Sequence, residues 1–423
     1  MTAFSYANGD YRAERVRLQD IAATCGTPFY CYSRAGIESA YRRYETAFSG
    51  LDVTICYALK ANSNQSVITL LANLGAGADV VSGGELRRAI AAGIPPERIV
   101  FSGVAKTAAE IELALAHGIR QFNVESDPEL RTISQVAERL GQTASIAYRI
   151  NPDIDAGTHE KISTGKSENK FGIPWQSARQ AYAAAAKLPG IRIAGVDMHI
   201  GSQILRLEPY KRAFERIATL VEALREDGHE IATVDLGGGL GVDYGNGDPK
   251  APSPEEYAET VAELVARLDC RCIVEPGRSL VANAGVLVGS VIYVKEGNHA
   301  KFLIIDAAMN DFLRPSMYSA HHNIVPARQN GRAELVYDIV GPVCETGDTF
   351  ARQRALPEQS PGDLVVIEGA GAYGSVMASS YNTRLLVPEV LVDGDDYRVV
   401  RRRPDYESLI GLDLAWDDGV KTC

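Results

Sequence analysis

The sequence has few cysteines and no long hydrophobic run, and both absences narrow the class of protein. Seven cysteines are spread over 423 residues with no C-x-x-C pair, which argues against a disulfide framework or a zinc ribbon. No apolar stretch approaches the roughly 18 to 20 residues that cross a bilayer, and the polar start MTAFSYANGDYRAERVRLQD does not resemble a secretory signal. We therefore expect a cytoplasmic protein without a membrane segment or a metal site.

Basic clusters are missing as well. The net charge is -11 at pH 7 and no basic run reaches five residues, so the electrostatic footprint of a nucleic-acid-binding protein is absent. Apolar residues make up 46% and charged residues 23% of the chain, a composition typical of a globular enzyme. An anionic ligand must then be bound by local groups, because the overall field is negative.

What the sequence does contain, from about residue 34, is an alternation of short apolar runs and helical patterns, which is typical of βα units and a parallel sheet. The predicted strands are Val53–Tyr57, Ala78–Val81, Arg98–Phe101, Gln121–Val124, Ser145–Ile150, Ile193–His199, Ala232–Leu236 and Arg271–Val274. The predicted helices between them are Gly84–Ala92, Ala108–His117, Pro128–Leu140, Ser177–Leu188, Pro209–Asp227 and Glu255–Leu268. Eight strands with intervening helices over about 250 residues indicate a TIM-like (β/α)8 barrel.

After residue 281 the pattern changes to strands joined by turns, and we predict an all-β domain, a β-barrel or sandwich. The predicted strands are Val286–Val294, Lys301–Ile305, Glu334–Val340, Leu364–Ile367, Thr383–Val387 and Tyr397–Val400. The N-terminal run Phe29–Tyr32 is expected to join them, since neither piece alone closes its edges. The expected domains are thus a barrel of residues 34–281 and a β domain of residues 1–33 and 282–423.

Polar residues gather where the predicted barrel strands end, which is where barrel enzymes place their active sites. Each alone has an ordinary explanation, such as a solvated lysine, a structural histidine, a glycine turn or a surface ion pair; their convergence favours a site. They are Lys60, His199 and Ser202 of HIGSQ, Gly237, Gly238 and Gly239 of DLGGGLG, and Glu275, Gly277 and Arg278 of EPGR.

This combination suits pyridoxal phosphate. A lysine in a poorly hydrated pocket forms a Schiff base with an aldehyde, an acid keeps a pyridine nitrogen protonated, and bare glycine amides bind a phosphate. Lys60, Glu275 and the glycines supply these three groups, while His199 could stack on the ring and Ser202 could donate to the phosphate.

A competing motif lies near the C-terminus. Residues Gly369 to Gly374 read GAGAYG and match the dinucleotide-binding pattern G-x-G-x-x-G. That pattern must open a helix in a βαβ unit, whereas here only a short segment separates it from the next predicted strand. We interpret it as a loop that brings Tyr373 to the site.

Two further segments carry candidate groups. DAAMNDFLRPSMY supplies Arg314 and Tyr318, and GPVCETGD supplies Cys344 and Glu345. Cys344 alone would be an ordinary small hydrophobic residue, but a thiol in a polar loop is also a candidate proton donor.

Seven motifs in this order resemble the diaminopimelate decarboxylase family, in the alanine-racemase-like fold group of pyridoxal-phosphate enzymes. They are YALKAN, HIGSQ, DLGGGLG, EPGRSLVANAG, DAAMNDFLRPSMY, GPVCETGD and GAYGSVMASSYN, and they span nearly the whole chain. The resemblance implies decarboxylation of meso-2,6-diaminopimelate to L-lysine and carbon dioxide, the last step of lysine biosynthesis.

The resemblance also implies a role for each matching residue. Lys60 carries the cofactor, Glu275 faces the pyridine nitrogen, and His199 stacks on the ring. The other cofactor-binding residues are Ser202, Gly238, Gly239, Gly277, Arg278 and Tyr373. Substrate-binding residues are Arg278, Arg314 and Tyr318 at the distal carboxylate, Glu345 at the distal amine, and Tyr373, with Cys344 as the proton donor. The family is dimeric, so we expect a homodimer in which Cys344 and Glu345 complete the partner's site.

Three alternatives stay open at this point. A decarboxylase of ornithine or arginine on the same fold commonly has aspartate after the loop cysteine, whereas Glu345 follows Cys344 here. A racemase tends to place an arginine near the pyridine nitrogen, and Glu275 argues against that. A non-catalytic cofactor-binding homologue should have lost Lys60 or Cys344, and both are present.

Overall fold

The computed structural model describes residues 3–157, 159, 164–165, 170–245, 247 and 249–414. The chain divides into two compact units, one of Gly36–Asn283 and one that combines the residues up to Ala35 with those from Ala284 onward. In the described part of the chain, no helix combines the length and apolar character needed to cross a membrane.

The N-terminal residues of the second of these units form a small antiparallel sheet, a helix and a buried strand. These elements are β1 (Phe4–Ala7), β2 (Asp10–Ala13), β3 (Val16–Arg17), α1 (Leu18–Cys25) and β4 (Phe29–Ser33). Strands β1, β2 and β3 pair in that order. All five residues of β4 are buried, as expected for a strand inside a larger sheet.

The unit of Gly36–Asn283 is a closed parallel barrel. Its strands are β5 (Val53–Ala58), β6 (Gly77–Val80), β7 (Ile99–Phe101), β8 (Gln121–Val124), β9 (Ala144–Asn151), β10 (Ile173–Pro174), β11 (Ile191–Asp197), β12 (Thr233–Asp235) and β13 (Arg271–Val274). Eight of them close in the order β5-β6-β7-β8-β9-β11-β12-β13, since β13 pairs with β5, and β10 adds to β9. Strands β6, β7 and β8 are buried throughout, as expected for parallel strands whose two faces are both covered.

Helices alternate with these strands. They are α2 (Arg34–Ala47), α3 (Gln65–Asn73), α4 (Gly83–Ala91), α5 (Ala108–His117), α6 (Asp127–Leu140), α7 (Ala178–Ala185), α8 (Glu208–Glu226), α9 (Pro254–Leu268) and α10 (Arg278–Val281). Their ends follow from local sequence. Capping boxes pair Thr107 with Glu110 at the start of α5 and Ser253 with Glu256 at the start of α9, and left-handed Gly118 ends α5.

The C-terminal residues complete a sheet-rich unit. Its further elements are β14 (Gly285–Glu296), β15 (Lys301–Ile305), α11 (Arg314–Tyr318), β16 (Ile324–Pro326), β17 (Glu334–Val340), β18 (Thr349–Pro357), β19 (Leu364–Ile367), β20 (Glu389–Asp393), β21 (Asp396–Arg401) and α12 (Tyr406–Ile410). Strands run in the order β18-β17-β15-β14-β4-β20-β21, with β19 pairing with both β14 and β16. The long β14 organises this unit because it pairs with β4, β15 and β19.

The fold class predicted from the sequence, a TIM-like barrel with a C-terminal β domain, is confirmed, and one predicted strand is wrong. Residues 383–387 form no strand: a short 3-10 turn covers Tyr381–Thr383, and β20 begins only at Glu389. Arg384 explains the difference, because its guanidinium donates to Asn310 Oδ1 at 3.0 Å and to the carbonyl of Asp306 at 2.5 Å. These bonds fix the segment as a loop despite its β-favouring residues.

Candidate active site

The predicted site residues of the barrel follow four strands that are consecutive in the barrel sheet. Lys60 follows β5, Glu275 follows β13, the glycines Gly237 to Gly239 follow β12, and His199 follows β11. The sheet order β11-β12-β13-β5 makes these four positions neighbours at the carboxyl ends of parallel strands. The predicted convergence in the barrel is therefore present. Lys60 is the second residue after β5 and lies in the 3-10 turn Leu59–Ala61.

Lys60 has a buried acidic neighbour that the sequence interpretation missed. Its Nζ lies 2.6 Å from Oδ2 of Asp79, which is on β6, the next strand of the barrel. The Asp79 side chain is fully buried, whereas 34% of the Lys60 side chain is exposed. An amine with a buried counter-charge and an open face is accessible for chemistry while its direction is fixed.

Three carboxylates cluster behind this rim. One oxygen each of Asp197, Asp235 and Glu275 lies within 4.8 Å of the others, and all three residues are buried. Burial raises the pKa of Glu275 well above its usual range, and the charges of Asp235 and Asp79 add to the effect. Burial also raises the pKa of Asp235 to about 6, although donors from Asn123 and the Gly237 N–H oppose the shift.

Glu275 has a buried carboxylate oxygen that is not satisfied. Among the described residues, its Oε1 finds no hydrogen-bond partner although the residue is only 5% exposed, and the same holds for Oδ1 of the neighbouring Asp79. A buried carboxylate oxygen without a partner is costly, so this position fits an acid whose partner is a bound cationic group.

His199 is held as a neutral imidazole. Its Nδ1 accepts a hydrogen bond from the Gly238 N–H at 3.2 Å, which places the ring proton on Nε2. Burial lowers the pKa of His199 well below its usual value, and the charges of Arg149 and Lys60 act in the same direction. The ring is therefore uncharged and only partly exposed, which suits packing against an aromatic ring.

The glycine triplet packs so closely against neighbouring backbone that it leaves no room for side chains. A Cβ added at Gly238 would lie 2.1 Å from the carbonyl oxygen of Glu275. One added at Gly239, whose φ is +101°, would lie 2.2 Å from the carbonyl oxygen of Gly201. Glycine is therefore required at both positions, and a turn of successive glycines is the kind of backbone that binds a phosphate through its N–H groups.

Arg278 is not half of a surface ion pair. It begins α10 directly after Gly277, is 6% exposed, and donates to the Tyr244 hydroxyl at 2.8 Å and to Ser202 Oγ at 3.0 Å. The bond to Ser202 links the segments that follow β11 and β13, so the structure brings together two of the predicted phosphate-binding residues.

These features fit pyridoxal phosphate. The barrel offers an oriented lysine amine, a buried acid with a free oxygen, a neutral imidazole and a bare glycine cradle, all at the ends of neighbouring strands. The chemistry of this set matches an aldehyde, a pyridine nitrogen, an aromatic ring and a phosphate.

In the sheet-rich unit, Arg314 is fixed by a histidine that the sequence interpretation did not single out. Arg314 begins α11, is 6% exposed, and its Nη1 lies 3.0 Å from Nε2 of His322. The other ring nitrogen, Nδ1, lies 2.8 Å from the carbonyl oxygen of Glu368. Nδ1 therefore carries the proton and Nε2 accepts from the guanidinium. Tyr318, at the end of α11, is partly exposed.

The remaining candidates lie on two loops of that unit. Cys344 and Glu345 are exposed, and the Cys344 N–H donates to Asn382 Oδ1 at 3.2 Å. Tyr373 lies in the GAGAYG loop after β19 with a left-handed φ of +54° and is partly exposed. That loop opens no long helix, so the dinucleotide interpretation is excluded.

Three buried aspartates that were not predicted as site residues share a recognisable sequence pattern. Asp79, Asp197 and Asp235 are single aspartates inside or at the end of apolar barrel strands, and each is buried. A buried carboxylate is rare without a partner, so an aspartate in such a run marks a functional or paired group.

Comparison with known proteins places the chain. Residues 34–282 match the family model described as "Pyridoxal-dependent decarboxylase, pyridoxal binding domain". A diaminopimelate decarboxylase of Zymomonas mobilis is 49% identical over 97% of this chain and 98% of that protein. A crystal structure of diaminopimelate decarboxylase from Helicobacter pylori complexed with L-lysine is 46% identical, with a TM-score of 0.90 over 94% of this chain and 99% of that one. The M. jannaschii structure in co-complex with L-lysine is 38% identical, with a TM-score of 0.93 over 98% of both chains.

The barrel and its rim thus define a pyridoxal-phosphate-dependent decarboxylase, and pyridoxal phosphate is its cofactor. The similarity extends over nearly the whole length of the relatives. Within that class, the chain belongs to the diaminopimelate decarboxylase family.

Proposed function

We propose that this protein removes one α-carboxylate from meso-2,6-diaminopimelate and releases L-lysine and carbon dioxide, the last step of lysine biosynthesis. The observation that carries the reaction type is the buried Glu275 on the same barrel rim as Lys60, with an oxygen that has no hydrogen-bond partner in the described part of the chain. The substrate follows from the relatives, which are diaminopimelate decarboxylases, two of them solved with L-lysine. The decarboxylases of ornithine and arginine are not favoured.

The cofactor residues are assigned to the barrel, which we propose as a cofactor-binding domain of residues 34–281. Lys60 Nζ is the attachment point, and Asp79 directs it. Glu275 supplies the anionic partner of the ring nitrogen, and His199 packs on the ring as a neutral imidazole. When bound, the pyridoxal group accepts the electron pair left by the departing carboxylate. The phosphate-binding groups are Ser202, Gly238, Gly239, Gly277 and Arg278, with Tyr373 from the domain of residues 1–33 and 282–423.

The distal end of the substrate distinguishes it from ornithine and arginine. We assign Arg278, Arg314 and Tyr318 to its distal carboxylate, because a planar guanidinium binds a carboxylate with two parallel hydrogen bonds. Glu345 is assigned to the distal amine, with Tyr373 alongside. The burial of Arg314 and its bond to His322 support this role, since a fixed guanidinium selects for geometry.

The proton balance requires a donor. Breaking the bond between the α-carbon and its carboxylate releases carbon dioxide, and the α-carbon must then gain one proton. Cys344 Sγ–H donates it, and the thiolate regains a proton from solvent. The exposure of Cys344 and Glu345 supports a position where they meet a second subunit, so the proposed assembly is a homodimer with composite sites.

Product analysis tests the activity. The purified protein is incubated with meso-diaminopimelate, ornithine and arginine in parallel, and lysine and carbon dioxide are measured. Lysine from meso-diaminopimelate alone is expected; faster carbon dioxide release from ornithine would contradict the substrate assignment.

A complementation assay tests the dimer. Lys60→Ala and Cys344→Ala variants, each inactive, are mixed under conditions that exchange subunits. If the two residues act from different chains, half of the dimers are mixed and each has one complete site, so activity recovers to about a quarter of the wild-type value. No recovery in a mixture that exchanges subunits would place both residues in one chain.

A further inference from the structure

The loop that carries Cys344 and Glu345 is built around one buried carboxylate. This loop, residues 341–348 with the sequence GPVCETGD, presents its middle residues to solvent, whereas its last residue, Asp348, is only 3% exposed. The site assignments give Asp348 no role. A buried carboxylate needs a reason, because its desolvation is costly unless it is well hydrogen-bonded.

Asp348 uses its two carboxylate oxygens in two different directions. Oδ2 accepts from the N–H of Val343 at 2.7 Å, within the loop and directly before Cys344. Oδ1 accepts from the N–H of Met309 at 2.7 Å, in the segment Asp306–Tyr318 that carries Arg314. Both are short, charge-assisted hydrogen bonds to backbone, the strong kind.

The same carboxylate explains the first residue of the loop. A Cβ at Gly341 would lie 2.4 Å from Oδ2 and 2.6 Å from Oδ1 of Asp348, and 2.7 Å from the carbonyl oxygen of Ala307. The Gly341 N–H donates to the backbone carbonyl of Asp348 at 3.1 Å, which closes the loop. Gly341 and Asp348 therefore form one unit, and neither can change without moving the other.

A second bond joins the same two segments. Ser316 in α11 donates from its hydroxyl to the carbonyl oxygen of Gly347 at 2.6 Å. The last two residues of the loop are thus bonded to the Arg314 segment on both sides of Arg314, through Met309 before it and Ser316 after it.

We propose that Asp348 is a positioning residue that holds Cys344 and Glu345 in register with the segment carrying Arg314. This inference rests on the proposed function, since it assumes that Cys344 is the proton donor and Arg314 binds the distal carboxylate. It adds that these groups are not placed independently: one buried carboxylate sets the position of the loop that delivers the proton.

The need for a carboxylate makes the inference testable. Asparagine has the same shape but only one acceptor oxygen, so in Asp348→Asn an amide NH2 faces either the Val343 or the Met309 N–H. One of the two ties is lost, and the loop shifts without removal of any side chain at its tip. A displacement of about 1 Å of a catalytic group costs up to roughly 100-fold in rate.

Asp338→Asn is the matched control. Asp338 is a buried aspartate of β17 in the same unit, and its Oδ1 accepts from the Gln353 backbone N–H at 2.8 Å. It therefore reproduces the loss of a buried carboxylate that caps backbone, at a place outside the loop. Any effect of general destabilisation appears in both variants.

Both variants are measured as holoenzymes for kcat and KM with meso-diaminopimelate and for cofactor absorbance. The rate of Cys344 alkylation by iodoacetamide is followed by peptide mass spectrometry. For Asp348→Asn we expect kcat to fall about 10- to 100-fold with KM within a few-fold and the absorbance unchanged. The alkylation rate should change several-fold relative to Asp338→Asn. Equal behaviour of the two variants in kcat and alkylation would overturn the proposal.

Two further outcomes are decisive. If Asp348→Asn does not fold, Gly341→Ala takes its place, because a methyl group there displaces the same carboxylate; an unchanged kcat and alkylation rate in that variant would refute the role. If the wild-type protein releases no lysine from meso-diaminopimelate, the proposed function fails, while the alkylation rates still decide whether Asp348 positions Cys344.

Discussion

The chemically important residues of the barrel and those of the sheet-rich unit are held in opposite ways. In the barrel, Glu275 and Asp79 are buried, and Lys60 is directed by a carboxylate on the neighbouring strand. In the other unit, Cys344 and Glu345 are exposed on a loop whose backbone is hydrogen-bonded by the buried carboxylate of Asp348. The barrel groups have their surroundings within one chain, whereas the loop residues present reactive groups to water. Proton delivery to carbon benefits from the exclusion of water, and in the proposed homodimer a second subunit would supply that exclusion at the exposed loop.

The largest loss of activity is expected from removal of Lys60 in the barrel. Lys60→Ala removes the amine that Asp79 directs, and activity should fall by on the order of 1000-fold or more, a barrier increase of about 4 kcal/mol. The near-visible absorption of lysine-bound pyridoxal should disappear. The exposed Lys187→Ala serves as the control and should keep both properties; a Lys60 variant that retained the absorption would exclude Lys60 as the attachment point.

On the loop side, Cys344→Ala should separate cofactor binding from turnover. The absorption should stay intact because the barrel is unchanged, while lysine formation falls about 100- to 10,000-fold, the usual range for a lost general acid. Cys25→Ala, a partly buried thiol of the same unit, is the control. Turnover equal to that of the control would remove Cys344 from the mechanism.

The sequence predicted the barrel well because its strands are apolar runs bounded by helix caps. Strands Gln121–Val124 and Arg271–Val274 and helix Ala108–His117 have the predicted bounds. The prediction of the other unit was wrong at Arg384, where side-chain hydrogen bonds hold a loop although the residues favour a strand. It also missed β18 (TFARQRALP), whose polar residues do not form an apolar run and which pairs with β17. Pairing partners distant in sequence decide such strands.

The site shows the same division. Residues at strand ends could be predicted because a barrel brings those ends together, and the order of the motifs identified the family. His322 could not, since its importance lies in a contact with Arg314 that no spacing encodes. Asp79 stands out as an aspartate in an apolar strand, but its pairing with Lys60 is seen only in the fold. Sequence finds the groups that touch a ligand more readily than those that hold them in place.

A smaller effect, on affinity, is expected from the histidine behind Arg314. In His322→Phe the ring shape is kept but the acceptor for Arg314 Nη1 is lost, and KM for meso-diaminopimelate should rise about 10-fold, as for one charge-assisted hydrogen bond. His322→Gln, whose amide oxygen can accept, should recover part of the affinity. His321→Phe, next to it and 3.3 Å from Arg354, is the control. A KM that changes equally in both phenylalanine variants would show that the effect is not specific to Arg314.

The smallest effect concerns the stability of the cofactor-free barrel. Burial raises the pKa of Glu275 above its unfolded value of about 4.3, so between the unfolded and the folded pKa the folded state binds more protons than the unfolded state. The free energy of unfolding therefore loses a contribution as pH rises from that value through the raised folded pKa, in the same window in which Asp235 titrates with a pKa of about 6. Glu275→Gln has no titrating carboxyl at this position, so its free energy of unfolding does not lose this contribution.

Compared with the wild type, cofactor-free Glu275→Gln should gain in free energy of unfolding as the pH rises above about 4.3, measured by urea unfolding at each pH. Glu345→Gln makes the same chemical change on the exposed loop of the other unit and serves as the control. The comparison of these two variants measures the difference between the regions as a free energy. Burying the Glu275 carboxylate in the barrel costs stability that a cationic partner would offset, whereas Glu345 is exposed. A pH-independent difference between Glu275→Gln and the wild type would mean that Glu275 is not held in the low-dielectric environment its burial implies.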